Sequence, residues 1–331
     1  MAIYDETEQF FGLPVVNFSK DEGVSNPQGQ AYRVFLEYDE CEEGGEQSSG
    51  ILARLKGAAA KKTPLTFERK LAQFTAHADS RQVEALVVGY WGESYETTSA
   101  VVVDALVQAR NQLPGLRALF IGDMTSEQCE ISWINQSDIS PLYEAFPRLE
   151  WLQIRGGAGL ELGEMNLPNL RALVIETGGL GKSVLKTLER ANLPALEHLE
   201  LWLGTDQYGW DGTLEDIDPL LRTGRFPKLR YLGLRNFAEV DALVPRLVAS
   251  PVVRTVEELD LSLGNLSDEG GKALLKLPTD AKLKRLDLHH HYLSDELMAQ
   301  LSRLPFKLNV DDQQEADEDD EEVYRYIAVS E

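Results

Sequence analysis

The sequence predicts an α/β solenoid: short parallel strands stacked side by side, helices returning on the other side, and an α+β cap ahead of them. Three observations carry this: one strand phrase recurs along the chain, apolar residues alternate within it, and helical segments fill the intervals. The phrase is Leu-Pro-x-Leu-x-x-Leu-x-Leu/Ile. It reads Leu113-Pro114-Gly115-Leu116-Arg117-Ala118-Leu119-Phe120-Ile121, then Phe146-Pro147-Arg148-Leu149-Glu150-Trp151-Leu152-Gln153-Ile154. Further full copies begin at Leu167, Leu193 and Phe226, and copies without the Leu-Pro pair span 256–261 and 283–288. A weaker copy stands at 83–88 and a stub at 308–310. Between the central leucines (Leu86, Leu119, Leu152, Leu173, Leu199, Leu232, Leu259 and Leu286) the steps are 33, 33, 21, 26, 33, 27 and 27 residues. A strand returning at that period marks units that stack and share one continuous core.

Residues 1–80 lack the phrase and read as an N-terminal cap. Segments 13–18 and 31–38 have strand character, the second alternating around Tyr32, Val34, Leu36 and Tyr38. Acidic, turn-rich residues 39–50 predict an exposed loop. Phe67, Leu71 and Phe74 at helical spacing predict a helix over 66–78. From 81 to 310 about eight units follow, with helices expected at 99–112, 182–190, 214–221, 240–248, 268–275 and 295–304. Ser267-Asp268-Glu269 and Ser294-Asp295-Glu296 place a capping hydroxyl and acidic charge at helix starts. The Leu-Pro pairs stop helices, since proline lacks the N–H and pushes its predecessor out of the α region. Residues 311–331 hold ten acids and one base, Arg325, so the block 317–322 is expected to repel itself into disorder. The closing Val323-Tyr324-Arg325-Tyr326-Ile327-Ala328-Val329 has strand propensity, suited to a sheet edge or to a docking peptide.

Composition narrows the function. Acids outnumber bases 55 to 32, a net charge of -23, which argues against DNA, RNA or anionic membrane as partner and permits a basic protein surface. Cys41 and Cys129 make no disulfide framework, the first residues are acidic rather than signal-like, and no apolar run could cross a bilayer. The expectation is a soluble, cytoplasmic protein without a cofactor. Nucleophile-elbow, phosphate-loop and Cys-x-x-Cys signatures are absent. Gly178-Gly179-Leu180-Gly181-Lys182-Ser183 is better explained as a turn, and Cys129 between acids lacks a visible base. Segment 131–138 fills a long insertion, either as a bulge packing Trp133 or as a rim contact.

The blocks 256–270 and 283–296, with their Leu-x-Leu strands followed by Ser-Asp-Glu, resemble leucine-rich repeats of the ribonuclease-inhibitor-like type. The likeness covers roughly 83–310. With Ile131-Ser132-Trp133-Ile134, Leu199-Glu200-Leu201-Trp202-Leu203-Gly204 and the His289-His290-His291 triplet, the chain is also similar to a bacterial family of such proteins without assigned activity. The resemblance implies a horseshoe with a parallel sheet on its concave side and helices outside, used to grip other proteins. One departure stands out. Where such repeats carry Asn or Cys, this chain has Trp91, Met124, Gly157, Gly178, Gly204, Phe237, Gly264 and His291, so the turn is expected to rest on backbone conformations open to glycine.

The strand period of two turns the phrase into a map: anchor leucines point to the core, and residues before, between and after them face the concave side. Its N-terminal half is small and apolar. Its C-terminal half, from Glu176 to His289, concentrates acids, aromatics, His and Arg; the candidate binding residues are His198, Glu200, Trp202, Tyr231, Arg235, Asp260, Asp287 and His289 there, with Trp151 and Arg155 in an earlier row. The leading expectation is a non-enzymatic interaction scaffold for a protein or peptide, of basic character if the acids decide. Exposed aromatics beside arginine are the residue types that carry interface energy. The plain alternative is a solvated acidic face, with the aromatics packed under a lateral loop such as 207–211. The rival from another class is a metal-dependent enzyme or ligand-binding protein centred on Asp260, Asp287 and His289. Alternation puts His289 and His290 on opposite faces, so they cannot share an ion, and His291 at the turn is expected to be buried and hydrogen-bonded.

Overall fold

The computed structural model describes residues 6–37, 64–222, 224–319 and 322–330. The expected loop at 39–50, Tyr38 and Cys41 lie outside the described residues. One sheet dominates: β1 (Gln9–Phe10), β2 (Leu13–Asn17), β3 (Ala31–Val34), β4 (Ala85–Val88), β5 (Ala118–Ile121), β6 (Trp151–Arg155), β7 (Ala172–Glu176), β8 (His198–Gly204), β9 (Tyr231–Phe237), β10 (Glu258–Asp260), β11 (Arg285–Asp287) and β12 (Lys307–Asn309). Its strands stand in chain order and run parallel from β2 onward, with only β1 antiparallel to its neighbour. The architecture is mixed α/β with a long, open, mostly parallel sheet.

Register follows the repeat phrase. Leu86, Leu119, Leu152, Leu173, Leu199, Leu232, Leu259, Leu286 and Leu308 pair in succession. The row also extends backward: Tyr32 pairs with Leu86, and Val16 with Tyr32. Those two positions carry no Leu-Pro signal. All the leucines of this row from Leu86 to Leu286 are buried in one core that runs the length of the sheet, where apolar burial supplies most of the stabilisation.

Helices cover the core side. Lys182–Arg190 lies where the sequence places it; Ala100–Gln108, Val240–Ala249, Asp268–Leu274 and Asp295–Leu301 agree to within a few residues. The expected helix 214–221 is an α turn, Leu214–Ile217, tightened into a 3-10 turn, Asp218–Leu221, beginning at the Asp218-Pro219 pair. Helix caps link successive units. Ser294 Oγ accepts from Leu297 N–H while its own N–H and hydroxyl donate to Asp268 of the preceding helix at 2.8 and 2.7 Å. Ser267 likewise donates to Asp241. Acid in each first turn therefore both faces the helix's positive end and clamps the next cap.

A charged row flanks the strand starts, two residues before each anchor: Glu84, Arg117, Glu150, Arg171, Glu197, Arg230, Glu257, Lys284. The signs alternate without a break. Arg117 bonds Glu84 and Glu150, each at 2.7 Å; Arg171 meets Glu197 at 3.1 Å; Arg230 and Lys284 meet Glu257 at 3.0 and 2.6 Å. These pairs are partly to largely exposed, so each is individually weak and screened by salt. We predict that Arg117→Glu, which sets three like charges side by side, costs about 1–2 kcal/mol in urea unfolding and that 1 M salt recovers much of it. Equal loss at low and high salt would sink this account of the row.

The acidic tail corrects one expectation. Residues 317–319 are not a self-repelling coil: Asp317–Asp319 (β13) pairs antiparallel with Glu322–Tyr324 (β14). Among the described residues, 322–324 pair only with β13 and 326–330 join no strand of the large sheet; segment 326–330 runs over loops at the strand ends. Among the described residues no helix is long and apolar enough to cross a membrane.

Candidate interaction surface on the sheet face

The face opposite the core divides in two. Over its N-terminal half the chain roofs itself. Ala85, Val87, Ala118 and Phe120 form a second apolar cluster with Phe10, packed by Phe11, Leu13, Val15 and Trp151. Phe10 reaches it because Phe11 and Gly12, both at positive φ (55° and 74°), make the two-residue turn that links β1 to β2. Its ring lies 5.9 Å from Phe120 and edge-on to Trp151 at 6.1 Å. Beside it Thr7 Oγ1 donates to Asp123 at 2.8 Å, and Arg33 joins Asp123 (2.7 Å), Glu6 and Asn17. The small apolar rows seen in the sequence are small because a segment lies on them.

Arg155 belongs to this closed region. Its Nε donates to Glu176 at 2.6 Å and Nη1 to the Met124 carbonyl at 2.9 Å, with the guanidinium over the Phe120 ring. It is buried and fully engaged, so it is a support and not an open contact. Trp202 is corrected in the same sense. It is 5 % exposed, packed by Ile131, Leu263 and Val329, with Arg235 over its ring at 5.2 Å. Its cover is the chain's own terminal segment rather than the loop 207–211.

The C-terminal half is open on top and tightly paired beneath. On the strand-start row, His198 stacks on Tyr231 at 3.9 Å and 5°, and on Trp151 at 5.7 Å and 29°. All three are partly exposed, as is Glu258 further along the row, and Arg285 beyond it is exposed. Under the rings, Glu200 accepts from Arg235 Nη1 at 2.5 Å and from Trp202 Nε1 at 2.8 Å. The Tyr231 hydroxyl stands between Asp260 (2.7 Å) and Glu200 (3.1 Å), its one hydrogen available to either. Arg235 is also 3.4 Å from Asp260. Burial pushes the Glu200 carboxyl up, but Arg235 and the contacts from His198 and Trp202 outweigh it and hold it at about 2. Burial and the two carboxylates raise the Tyr231 phenol.

Asp287 sits beside Asp260 in register, as the strand map requires. Its oxygens accept from Arg285 at 2.7 Å, His289 Nδ1 at 2.8 Å and Asn309 at 3.1 Å, besides the His289 N–H. Burial opposes its ionisation, and the hydrogen bonds from His289 and Asn309 overcome this and hold its carboxyl low. Neither Asp260 nor Asp287 keeps a charge unanswered. Among the described residues no three His, Cys, Asp or Glu side chains are placed to hold a metal ion; Asp260 accepts from the Tyr231 hydroxyl and the Ser262 N–H, and Asp287 from Arg285, His289 and Asn309. His290, at φ 58°, turns toward Asp312, away from His289.

Other expectations find their places. His291 is buried; its Nδ1 accepts from Leu293 N–H, so Nε2 carries the hydrogen and donates to the Val310 carbonyl at 3.0 Å. One unit thus keeps a side-chain turn bond. Cys129 is buried, and burial together with Glu130 pushes its thiol up to about 11, far from a thiolate nucleophile. The insertion at 131–138 buries Ile131, whereas Trp133 is 59 % exposed and packs no bulge.

No family model matches the chain, and no curated protein does. Among solved structures, the crystal structure of a protein from Bacteroides fragilis matches with a TM-score of 0.75 and 33% sequence identity, covering 86% of this chain and 74% of that one. The chain belongs to the family of that protein. That membership carries the architecture. An internalin from Listeria monocytogenes also matches, at a TM-score of 0.37 and 15% identity over 74% of this chain and 57% of that one.

Proposed function

We propose that the chain is a non-enzymatic interaction scaffold, a leucine-rich repeat horseshoe that binds a protein or peptide on the C-terminal half of its concave face. In this reading residues up to about 80 are the cap, 81–310 the repeats and 311–331 an appended tail. One observation carries it: the chain roofs the N-terminal half of the face with its own Phe10 segment, which ends against the edge of Trp151, and leaves the His198–Tyr231 stack and the row beyond it partly exposed. Stacked rings held rigid by a buried ion network lose little entropy on binding, which is what makes aromatic anchors effective. Glu258, Arg285 and His289 would surround them as polar contacts. Glu200, Asp260 and Asp287 act as supports, because their charges are already answered. A preference for a basic partner then rests on the net charge of -23 acting at range.

The test compares proteins captured from the source cell by wild type, by His198→Ala and by Glu258→Ala/Arg285→Ala, at matched melting temperature. Loss of an anchor is expected to weaken the genuine partner at least about tenfold, roughly 1.4 kcal/mol. The same proteins captured in equal amounts by all three would reject this surface.

A further inference from the structure

Segment 326–330 crosses the C-terminal ends of the strands in turn, meeting residues that follow β11 and β10, then the end of β9, then the turn after β7. Tyr326 N–H donates to the Tyr292 hydroxyl at 2.9 Å, and Ala328 N–H to the Leu263 carbonyl at 2.8 Å. Val329 is held by one side chain at both backbone groups: its N–H donates to Asn236 Oδ1 at 3.0 Å, and Asn236 Nδ2 donates to its carbonyl at 2.5 Å. Ser132 Oγ donates to the Ser330 carbonyl at 2.5 Å. The Val329 side chain packs on Ile131, Trp202 and Leu263.

These bonds recognise backbone. A carboxamide that offers a donor and an acceptor to one residue supplies the pair of bonds a neighbouring strand would supply, whatever that residue's side chain. Selectivity comes from two places: the apolar pocket under Val329, and Gly178, where a Cβ would run into the Ser330 carbonyl. Asn236 is itself shaped for the task. It is buried, stands at φ 51°, a conformation asparagine tolerates better than most residues, and is braced by the Thr177 carbonyl.

We propose that the groove formed by Ile131, Ser132, Trp202, Asn236 and Leu263 is a peptide-binding site for an extended Ala-Val-Ser-like segment. It is held here in cis by residues 327–330 and is open to a partner protein carrying such a segment. The site is separate from the concave-face surface and does not depend on that reading; the two are linked only through Trp202, which walls the groove and donates to Glu200 beneath the stack. The strap is suited to displacement. Nine acids and one arginine lie in 311–325, and Val323 and Tyr326 next to the seat are 53% and 58% exposed, so the hold concentrates on a few terminal residues. A tether of this length keeps the cis segment at an effective concentration on the order of millimolar, so a competing peptide needs the strap loosened.

The experiment uses full-length protein and the labelled peptide Tyr-Ile-Ala-Val-Ser, followed by fluorescence anisotropy. Val329→Asp evicts the chain's own segment by placing a charge in the pocket. Ala328→Pro does so without charge, by removing the N–H given to Leu263. Either variant, with melting near wild type, is expected to bind the peptide at least tenfold more tightly than wild type. Adding Asn236→Gly, which keeps the backbone conformation and deletes the amide, should abolish the gain, as should the peptide carrying Val329→Asp. The proposal is overturned if neither folded variant binds the peptide better than wild type, or if Asn236→Gly leaves binding intact. It is also overturned, in favour of exchange between copies, if wild type sediments as a dimer that Val329→Asp dissolves.

Discussion

Replacing Arg235 by alanine is expected to lower the folding free energy by about 3–5 kcal/mol, the range for breaking a buried ion pair by removing one partner. Arg235 answers two buried carboxylates at once, Glu200 at 2.5 Å and Asp260 at 3.4 Å. Without it both remain under the aromatic stack with only neutral or part-time donors. The effect should show in the pH dependence. The Glu200 carboxyl is held at about 2 in the folded chain against 4.5 as its ordinary value. A depressed carboxyl makes the unfolded chain the better proton binder. The stability it contributes, about 3 kcal/mol, is therefore complete above pH 4.5 and lost as pH falls toward 2. In Arg235→Ala burial dominates and the Glu200 carboxyl rises, so the loss of stability that Glu200 causes in wild type between pH 4.5 and 2 is expected to disappear or reverse, leaving a shallower acid limb below a lower plateau. Chemical denaturation between pH 2 and 7 checks both statements. A variant whose acid limb coincides with that of wild type would refute the assignment of Arg235 as the counter-ion.

Phe10→Ala is the second large effect, with an expected loss of about 3–4 kcal/mol. Phe10 is the keystone of the roof over Ala85, Val87, Ala118 and Phe120, and alanine cannot span the 5.9 Å between its ring and Phe120. The damage should be local. Hydrogen exchange over residues 6–17 is expected to quicken strongly, while amides in β7 to β9 keep their protection, because those strands draw on the main core. Intact protection over 6–17 with an unchanged melting temperature would mean that the roof is held by Arg33 and Thr7 alone.

These two residues mark what the sequence disclosed and what it withheld. The phrase around each central leucine set the order, register and facing of β4 to β11, because a parallel stack repeats the same burial problem and each unit solves it with the same residues. It also put Asp260 beside Asp287 and separated the three histidines. Covering segments were hidden. Phe10 meets Phe120, and Val329 meets Trp202, across more than a hundred positions, and no periodicity announces such contacts. Hence Trp202 and Arg155 read as open contacts when they are closed. Tyr32 and Val16 extend the anchor row without a leucine, so the early strands stayed outside the count of units. Asn236 was missed for a related reason: its role exists only once the terminal segment arrives, although an Asn immediately before a buried Phe at a strand end could have signalled a left-handed turn.

The unbroken sign alternation from Glu84 to Lys284 has an arithmetic consequence. Each unit meets opposite charge on both flanks, so the array has a parity. Excising one interior unit would bring two acids or two bases face to face at the new junction; excising two adjacent units would leave every junction matched. By this rule the array gains or loses units without electrostatic penalty only in twos, and a duplicated glutamate–arginine pair is its natural module of growth.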